Sequence, residues 1–323
     1  MREISFTEAI REALREEMRR DSDVFVIGID VGLRPGTTKV TTGLAEEFGT
    51  DRLINTPIAE GIISGAAVGA ALMGMRPVAE IMFADFVMAI MEPMVTVAAR
   101  ARYITDGGAS VPMVVRTPFS LGGAYMSNFE AWFVHVPGIK VVMPSTPYDA
   151  KGLLKSAIRD DNPVVFYEHQ DFHRELKGPV PEEEYTIPLG VGDIKREGTD
   201  VTVVATGKMV HEALAAAEEL AKESISVEVV DPRSLYPIDK NMILGSVRKT
   251  GRLVVAHEAC KTGGIGAEIS AIVSEEVFPS LKAPIARVAN PDVHVPYIIP
   301  LQKLVVPSKD DIIESVRKVM STG

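Results

Sequence analysis

Asn55-Thr-Pro-Ile-Ala-Glu60-Gly-Ile-Ile-Ser-Gly65-Ala-Ala-Val-Gly69-Ala-Ala-Leu-Met-Gly74 sets one carboxylate at the head of a helix in which glycine recurs every fourth residue. Glycine weakens a helix interior by up to about 1 kcal/mol relative to alanine, so three on one face imply a second backbone approaching closely. A subunit contact beside the acid is the natural expectation. Glu60 is therefore the leading catalytic candidate, set against a plainer reading in which a first-turn glutamate answers the helix dipole.

Outward from this helix, the pattern alternates between two periods. Ser5-Phe-Thr-Glu8 reads as a capping box, and Ala9, Ile10, Ala13, Leu14 and Met18 form the apolar stripe of the helix it opens. Short β-branched runs follow at Val24–Ile29, Pro77–Phe83, Val111–Arg116, Ile139–Met143 and Val164–Tyr167, with helical stretches between them. That alternation predicts an α/β domain with a mainly parallel sheet flanked by helices. From His169 to Gly198 the chain turns Pro-rich and charged, and residues 181–198 read as a linker. Beyond it, strands at Val201–Ala205, Val227–Val230, Leu253–Ala256 and Ile285–Val288 alternate with helices near 210–223, 266–277 and 309–320. Two α/β domains, 1–180 and 199–323, are expected, with no repeat between them.

Composition sets limits. The 323 residues are 46% hydrophobic and 24% charged, enough for two cores. The formal charge of -10, with Lys and Arg scattered among acids, argues against a nucleic-acid surface; Glu16-Glu-Met-Arg-Arg20 reads as a solvated helix face. The single cysteine, Cys260, excludes an internal disulfide and reads as a packing residue in a reducing compartment. The N-terminus lacks the apolar core of a signal peptide and the run from Gly61 to Met75 is too short to span a bilayer, so no membrane association is expected and the cytoplasm is the default location.

Several strings, in order and spacing, resemble one family. Asn55–Glu60, Arg76–Phe86, Glu130–Gly138, Pro147–Lys155, Ile158–Phe166, Thr250–Glu258 and Thr262–Glu268 together look like the beta subunit of the thiamin diphosphate-dependent 2-oxo acid dehydrogenases, of the transketolase-like superfamily, over nearly the whole chain. The resemblance implies a pyrimidine-binding domain at 1–180 and a transketolase C-terminal-like domain at 199–323. It implies that Glu60 hydrogen-bonds the aminopyrimidine ring nitrogen, favouring the imino tautomer whose exocyclic nitrogen takes the thiazolium proton. Phe86 aligns with the aromatic residue stacked on the aminopyrimidine, although Phe83 and Phe86 also read simply as core. Met82 stands beside the ring where the family often has Gln.

The same resemblance places a potassium ion on Met113, Ala157, Asp160 and Asn162, largely through carbonyl oxygens; an ordinary helix end followed by an Asp-Asn-Pro turn explains the same residues equally well. The family's Gly-Glu-Asp-Val reads Gly28-Ile-Asp-Val31, which removes an acid associated with communication between paired sites. The family's His-Ser-Gln-Ser loop is replaced by Phe119–Glu130. Its active-site histidine is absent, and Tyr125 or Asn128 offers only hydrogen bonds while Met126 transfers no proton. His135 and His257 are not promoted in its place.

The chain contains no Gly-Asp-Gly, the thiamin enzymes' diphosphate and magnesium signature. The resemblance therefore implies an alpha subunit that holds magnesium and shares the cofactor in an alpha-two beta-two heterotetramer, active only when assembled, with a lipoyl acyltransferase core as further partner. The expected activity is oxidative decarboxylation of a small-molecule 2-oxo acid with acyl transfer to lipoamide. A split transketolase-like or acetoin-cleaving subunit with another acceptor is the alternative, although transketolases usually show Gly-Ile-Ala-Glu-Gln-Asn where this chain has Pro57-Ile-Ala-Glu60-Gly-Ile62. A non-catalytic scaffold is a third class, against which Glu60 stands.

Overall fold

A computed structural model of the chain describes residues 1–32, 34, 36–120 and 127–322. The chain divides into two compact units, residues 1–120 with 132–189, and residues 121–131 with 190–323.

In chain order the first run of elements is β1 (Arg2–Ser5), α1 (Phe6–Arg20), β2 (Val24–Ile29), α2 (Leu44–Phe48), β3 (Leu53–Thr56), α3 (Glu60–Leu72), β4 (Arg76–Glu80), a 3-10 segment (Ala84–Ile90) leading through a π-helical turn (Glu92–Ala98) into α4 (Ala99–Ile104), β5 (Val114–Phe119), α5 (Glu130–Val134), β6 (Lys140–Val142), α6 (Pro147–Arg159), β7 (Val164–His169), α7 (Gln170–Glu175) and β8 (Lys177–Val180). Six strands of the first unit lie side by side in the order β6-β7-β5-β4-β2-β3, every pair parallel. β2, β5 and β7 are buried along their whole length, as parallel strands covered on both faces must be, whereas the edge strand β3 buries only Leu53.

The capping box forms as the spacing requires: Glu8 N–H donates to Ser5 Oγ at 3.2 Å and Ser5 N–H to Glu8 Oε2 at 2.8 Å. The stripe Ala9, Ile10, Ala13, Leu14 and Met18 is buried and, with Phe6, packs in one core with Leu153, Leu154, Ala157 and Ile158 of α6. Along the same seam Glu17, fully buried, takes a fork from Arg159. Lys151 and Lys155, whose side chains are 1% exposed, reach Glu12 and Glu16. Glu16 therefore faces a neighbouring helix and is not simply a solvated surface acid.

The Pro-rich stretch is more ordered than its composition suggests. α7 and β8 return to the N-terminus, where β8 pairs antiparallel with β1 from Arg2↔Val180 to Ser5↔Lys177. Residues 181–198, read as a linker, contain a strand, β9 (Asp193–Arg196). A charged sequence is compatible with this position because β9 is an edge strand, paired on one side only. Val111 and Met113 are buried but not in a strand, consistent with the missing N–H of Pro112.

The second unit continues with β10 (Val201–Ala205), α8 (Met209–Ala221), β11 (Val227–Asp231), β12 (Ser234–Tyr236), α9 (Lys240–Thr250), β13 (Leu253–Cys260), α10 (Ile265–Val277), β14 (Ala286–Asn290), α11 (Ile299–Gln302) and α12 (Lys309–Ser321). Its sheet runs β14-β13-β10-β11-β9, parallel except for β9. α8 and α12 pack on it through Val210, Ala213, Ala217, Ile312 and Val316. Cys260, expected as a packing residue, is instead exposed at the end of β13. Among the described residues no helix is long and apolar enough to cross a membrane.

Leu153 is fully buried between α6 and its neighbours. Leu153→Ala is expected to cost about 2–5 kcal/mol of unfolding free energy, measured by urea titration, since the rigid α1–α6 seam cannot collapse into the gap.

Candidate functional site

All six parallel strands of the first unit deliver their C-terminal ends to one edge, where crevices in open α/β sheets bind ligands. Glu60 is the first residue of α3, placed on that edge by the short turn after β3. The N-cap Ala59 has no capping side chain, so Glu60 supplies the first-turn negative charge. Its backbone is tied down: Ser64 Oγ donates to the Glu60 carbonyl at 3.0 Å. Its half-buried carboxylate has no hydrogen-bond partner among the described residues.

The next strand end supplies the opposite wall. β4 leads through Met82 and Phe83 into the 3-10 segment carrying Phe86. Met82, Phe83 and Phe86 are all half-buried, and the two rings meet edge to face with centroids 6.2 Å apart. α3 sits against this segment at Gly61, where a Cβ would stand 3.2 Å from the Ala89 carbonyl oxygen. The structure thus brings the head of α3 and the aromatic segment together. Gly65 and Gly69, by contrast, are exposed with open space around their α-carbons.

Behind the strand ends lies a buried ion cluster of Glu80 on β4, Arg116 on β5, Glu168 on β7 and His173 on α7. This cluster is not legible in the sequence, because charged residues in strands read as exposed until the partners are known.

Of the residues associated with potassium, Asp160 and Asn162 form one turn, with Asn162 Nδ2 donating to Asp160 Oδ1 at 2.9 Å. The Asp160 carboxylate is also engaged by the Lys140 ammonium, and Arg76 donates to the Asp160 carbonyl at 3.2 Å. The Ala157 carbonyl accepts from Asp160 N–H at 3.3 Å and the Met113 carbonyl from Val164 N–H at 2.9 Å. Two side-chain cations thus already serve this turn. Among the described residues no group of three or more His, Cys, Asp or Glu side chains could hold a metal ion.

Residues 2–174 match the family described as transketolase, pyrimidine binding domain, and residues 190–312 match transketolase, C-terminal domain. The chain is 46% identical over 321 residues to the 2-oxoisovalerate dehydrogenase subunit beta of Bacillus subtilis (strain 168), covering 98% of each chain. It is 46% identical over 325 residues to the pyruvate dehydrogenase E1 component subunit beta of the same strain, covering 99% of each. The chain belongs to the 2-oxo acid dehydrogenase E1 beta-subunit family. A solved structure titled split gene transketolase, inactive beta4 tetramer, shares the fold with a TM-score of 0.81 and 26% identity, covering 99% of each chain.

The two histidines left open by the sequence differ sharply in this E1 beta-type chain. His135 is exposed beyond α5. His257 on β13 is fully buried, neither ring nitrogen has a hydrogen-bond partner, and a Cβ at Gly264 or Gly266 would stand 2.5 or 2.6 Å from its ring. Burial, helped by the charge of Arg287, pushes its pKa down to about 4, so it is neutral packing. Tyr125 and Met126 lie outside the described residues; Asn128 Oδ1 accepts from Glu130 N–H at 3.3 Å. Glu130 escaped notice in the sequence. It is 1% exposed, neither carboxylate oxygen has a hydrogen-bond partner in another described residue, and burial, with Glu258 nearby, pushes its pKa up to about 8. The Cys260 thiol is likewise pushed up, first by desolvation and then by the charge of Asp292, which disfavours the reactive thiolate.

His257 is neutral when folded and takes a proton more readily when unfolded, so its contribution is present above pH about 6.5 and is lost as pH falls toward about 4. In His257→Phe the loss of unfolding free energy between those pH values is expected to be smaller than in the wild type by up to about 3 kcal/mol, measured by denaturant titration at each pH.

Proposed function

We propose that this chain is the beta subunit of a heteromeric thiamin diphosphate-dependent 2-oxo acid dehydrogenase, in which Glu60, Met82 and Phe86 hold the pyrimidine half of the cofactor. The observation that carries the reading is the Glu60 carboxylate: it heads α3 beside the Phe86 segment, half-buried, with no partner among the described residues. The residues fit a flat heteroaromatic ring whose nitrogen meets a carboxyl group. They do not fit the diphosphate and magnesium, for which the chain has neither Gly-Asp-Gly nor a metal-binding cluster among its described residues.

Bound there, the cofactor supplies the nucleophilic carbon and the electron sink for decarboxylation of a 2-oxo acid. Glu60 holds the hydrogen bond at the pyrimidine nitrogen, and Phe86 supplies an apolar wall that excludes water on one side. Magnesium is assigned to an alpha subunit and the acyl acceptor to a lipoyl carrier. Potassium on Met113, Ala157, Asp160 and Asn162 has weaker support, given the engagement of that turn by Lys140 and Arg76. The single cysteine fits a reducing compartment such as the cytoplasm.

The outer face of α3 supports a partner. Ile58, Ile62 and Met73 are 79%, 67% and 84% exposed and flank the open Gly65 and Gly69. An apolar, small-residue helix face beside half a site is suited to a second subunit that completes the site. The solved relative whose title pairs a beta4 assembly with inactivity fits the same reading.

A split transketolase-like or acyloin-processing role is the second reading, favoured by the absence of the family's His-Ser-Gln-Ser loop and by the split gene transketolase relative. Decarboxylation of a 2-oxo acid panel by the chain reconstituted with its alpha subunit and magnesium thiamin diphosphate separates the two: turnover of acyloins or ketose phosphates alone defeats the dehydrogenase reading. Glu60→Gln is expected to lower kcat by on the order of 10²–10⁴-fold in that assay without loss of assembly. Ile62→Asp is expected to abolish co-elution with the alpha subunit on size exclusion while changing the isolated chain's stability by no more than about 0.5 kcal/mol.

A further inference from the structure

Glu80 ends β4 two residues before Met82, and its side chain turns away from solvent into the ion cluster. Arg116 gives Glu168 a fork, Nε to Oε1 at 2.6 Å and Nη2 to Oε2 at 2.7 Å, and gives Glu80 a single bond, Nη1 to Oε2 at 2.8 Å. Glu168 also meets His173 Nε2 at 2.9 Å, and His173 Nδ1 meets Thr7 Oγ1 at 3.0 Å. The chain of contacts therefore runs from α1 through α7, β7 and β5 to the end of β4. On its other side Glu80 is gripped by glycines: a Cβ at Gly36 would stand 3.0 Å from Glu80 Oε1, and one at Gly28 would stand 2.9 Å from its carbonyl oxygen.

We propose that Glu80 is a positioning residue for the thiamin diphosphate site: its bond to Arg116 and its seat between Gly28 and Gly36 fix the end of β4, and with it the placement of Met82 and Phe86. The proposal rests on the cofactor reading above and adds a residue that touches no cofactor atom.

The cluster holds two carboxylates around one guanidinium, and the fork and His173 both favour the charged form at Glu168. Burial pushes Glu80 above the usual carboxylate range, opposed by Arg116 and His173 and reinforced by Glu168. Arg116 faces it from β5, Glu168 from β7 and His173 from α7; Gly28 and Gly36, packed on it from β2 and the following turn, carry no charge. That upward direction favours the protonated acid over a second buried charge beside Glu168. Its contribution is present at low pH and is lost as pH rises through the raised pKa, where a second buried negative charge next to Glu168 loosens the end of β4.

The test compares wild type, Glu80→Gln and Glu80→Ala, each reconstituted with the alpha subunit, by calorimetric Kd for magnesium thiamin diphosphate from mildly acidic to alkaline pH. Hydrogen exchange of residues 82–90 is measured in each isolated chain. Glu80→Gln, whose amide oxygen still accepts from Arg116, is expected to keep the tightest Kd of the wild type and to remove the weakening that the wild type shows as pH rises. Glu80→Ala is expected to raise Kd on the order of tenfold and to lose protection at 82–90. A Glu80→Gln profile that tracks the wild type at every pH overturns the proposal, as does a Glu80→Ala protein with lowered Tm but unchanged Kd and exchange. If Glu80→Ala does not fold, the Glu80→Gln comparison decides. A wild-type assembly that binds no thiamin diphosphate defeats the cofactor reading itself, whereas unchanged exchange in folded Glu80→Ala defeats the positioning role alone.

Discussion

A guanidinium with no exposure to solvent, set in the middle of a parallel sheet, has to be neutralised where it stands. Arg116 meets that demand with the forked Glu168 carboxylate of one neighbouring strand and gives a further bond to Glu80 of the other. Removing Glu168 would leave the guanidinium uncompensated, at a cost of about 3–5 kcal/mol, and the bond from Arg116 to Glu80 ties the third strand into the same unit. The crevice edge inherits that constraint, because the segment bearing Met82 and Phe86 begins where this unit ends.

The head of α3 obeys the opposite rule. Glu60 is left half-buried and without a hydrogen-bond partner among the described residues, and the helix behind it exposes Ile62 and bare glycine backbone, with Met73 exposed at its end. A rigid floor and an open wall suit a half-site that is preorganised on one side and completed from outside. One of the helix's three glycines, Gly61, is used within the chain against Ala89; the other two keep a surface flat enough for another backbone.

How much of this was legible in the sequence depended on whether the governing interaction was local. The capping box at Ser5–Glu8, the stripe of α1 and the β-branched strands lie within a few residues of what determines them, and their signals were plain. Glu60 and Phe86 were singled out for their cofactor roles by family resemblance alone, and the structure adds the packing of Gly61 on Ala89 that draws their segments together. The Glu80–Arg116–Glu168 cluster was invisible because its members are 36 and 52 residues apart and each looks like an ordinary charge. Cys260 was misread because hydrophobicity says nothing about where a strand outruns its cover, and the strand at Asp193–Arg196 was hidden by a charged sequence that only an edge position tolerates.

The pairing of Arg2–Ser5 with Lys177–Val180 has a consequence for how the chain is made. The opening strand and the helix after it have their partners in β8 and α6, so the ribosome must deliver nearly the whole first unit before its earliest residues can dock. Until then the apolar stripe of Ile10, Leu14 and Met18 is without its permanent cover, and folding has to wait for contacts of long sequence separation. Synthesis of this protein thus includes a long interval in which its first helix depends on chaperones or on transient collapse to stay out of aggregates.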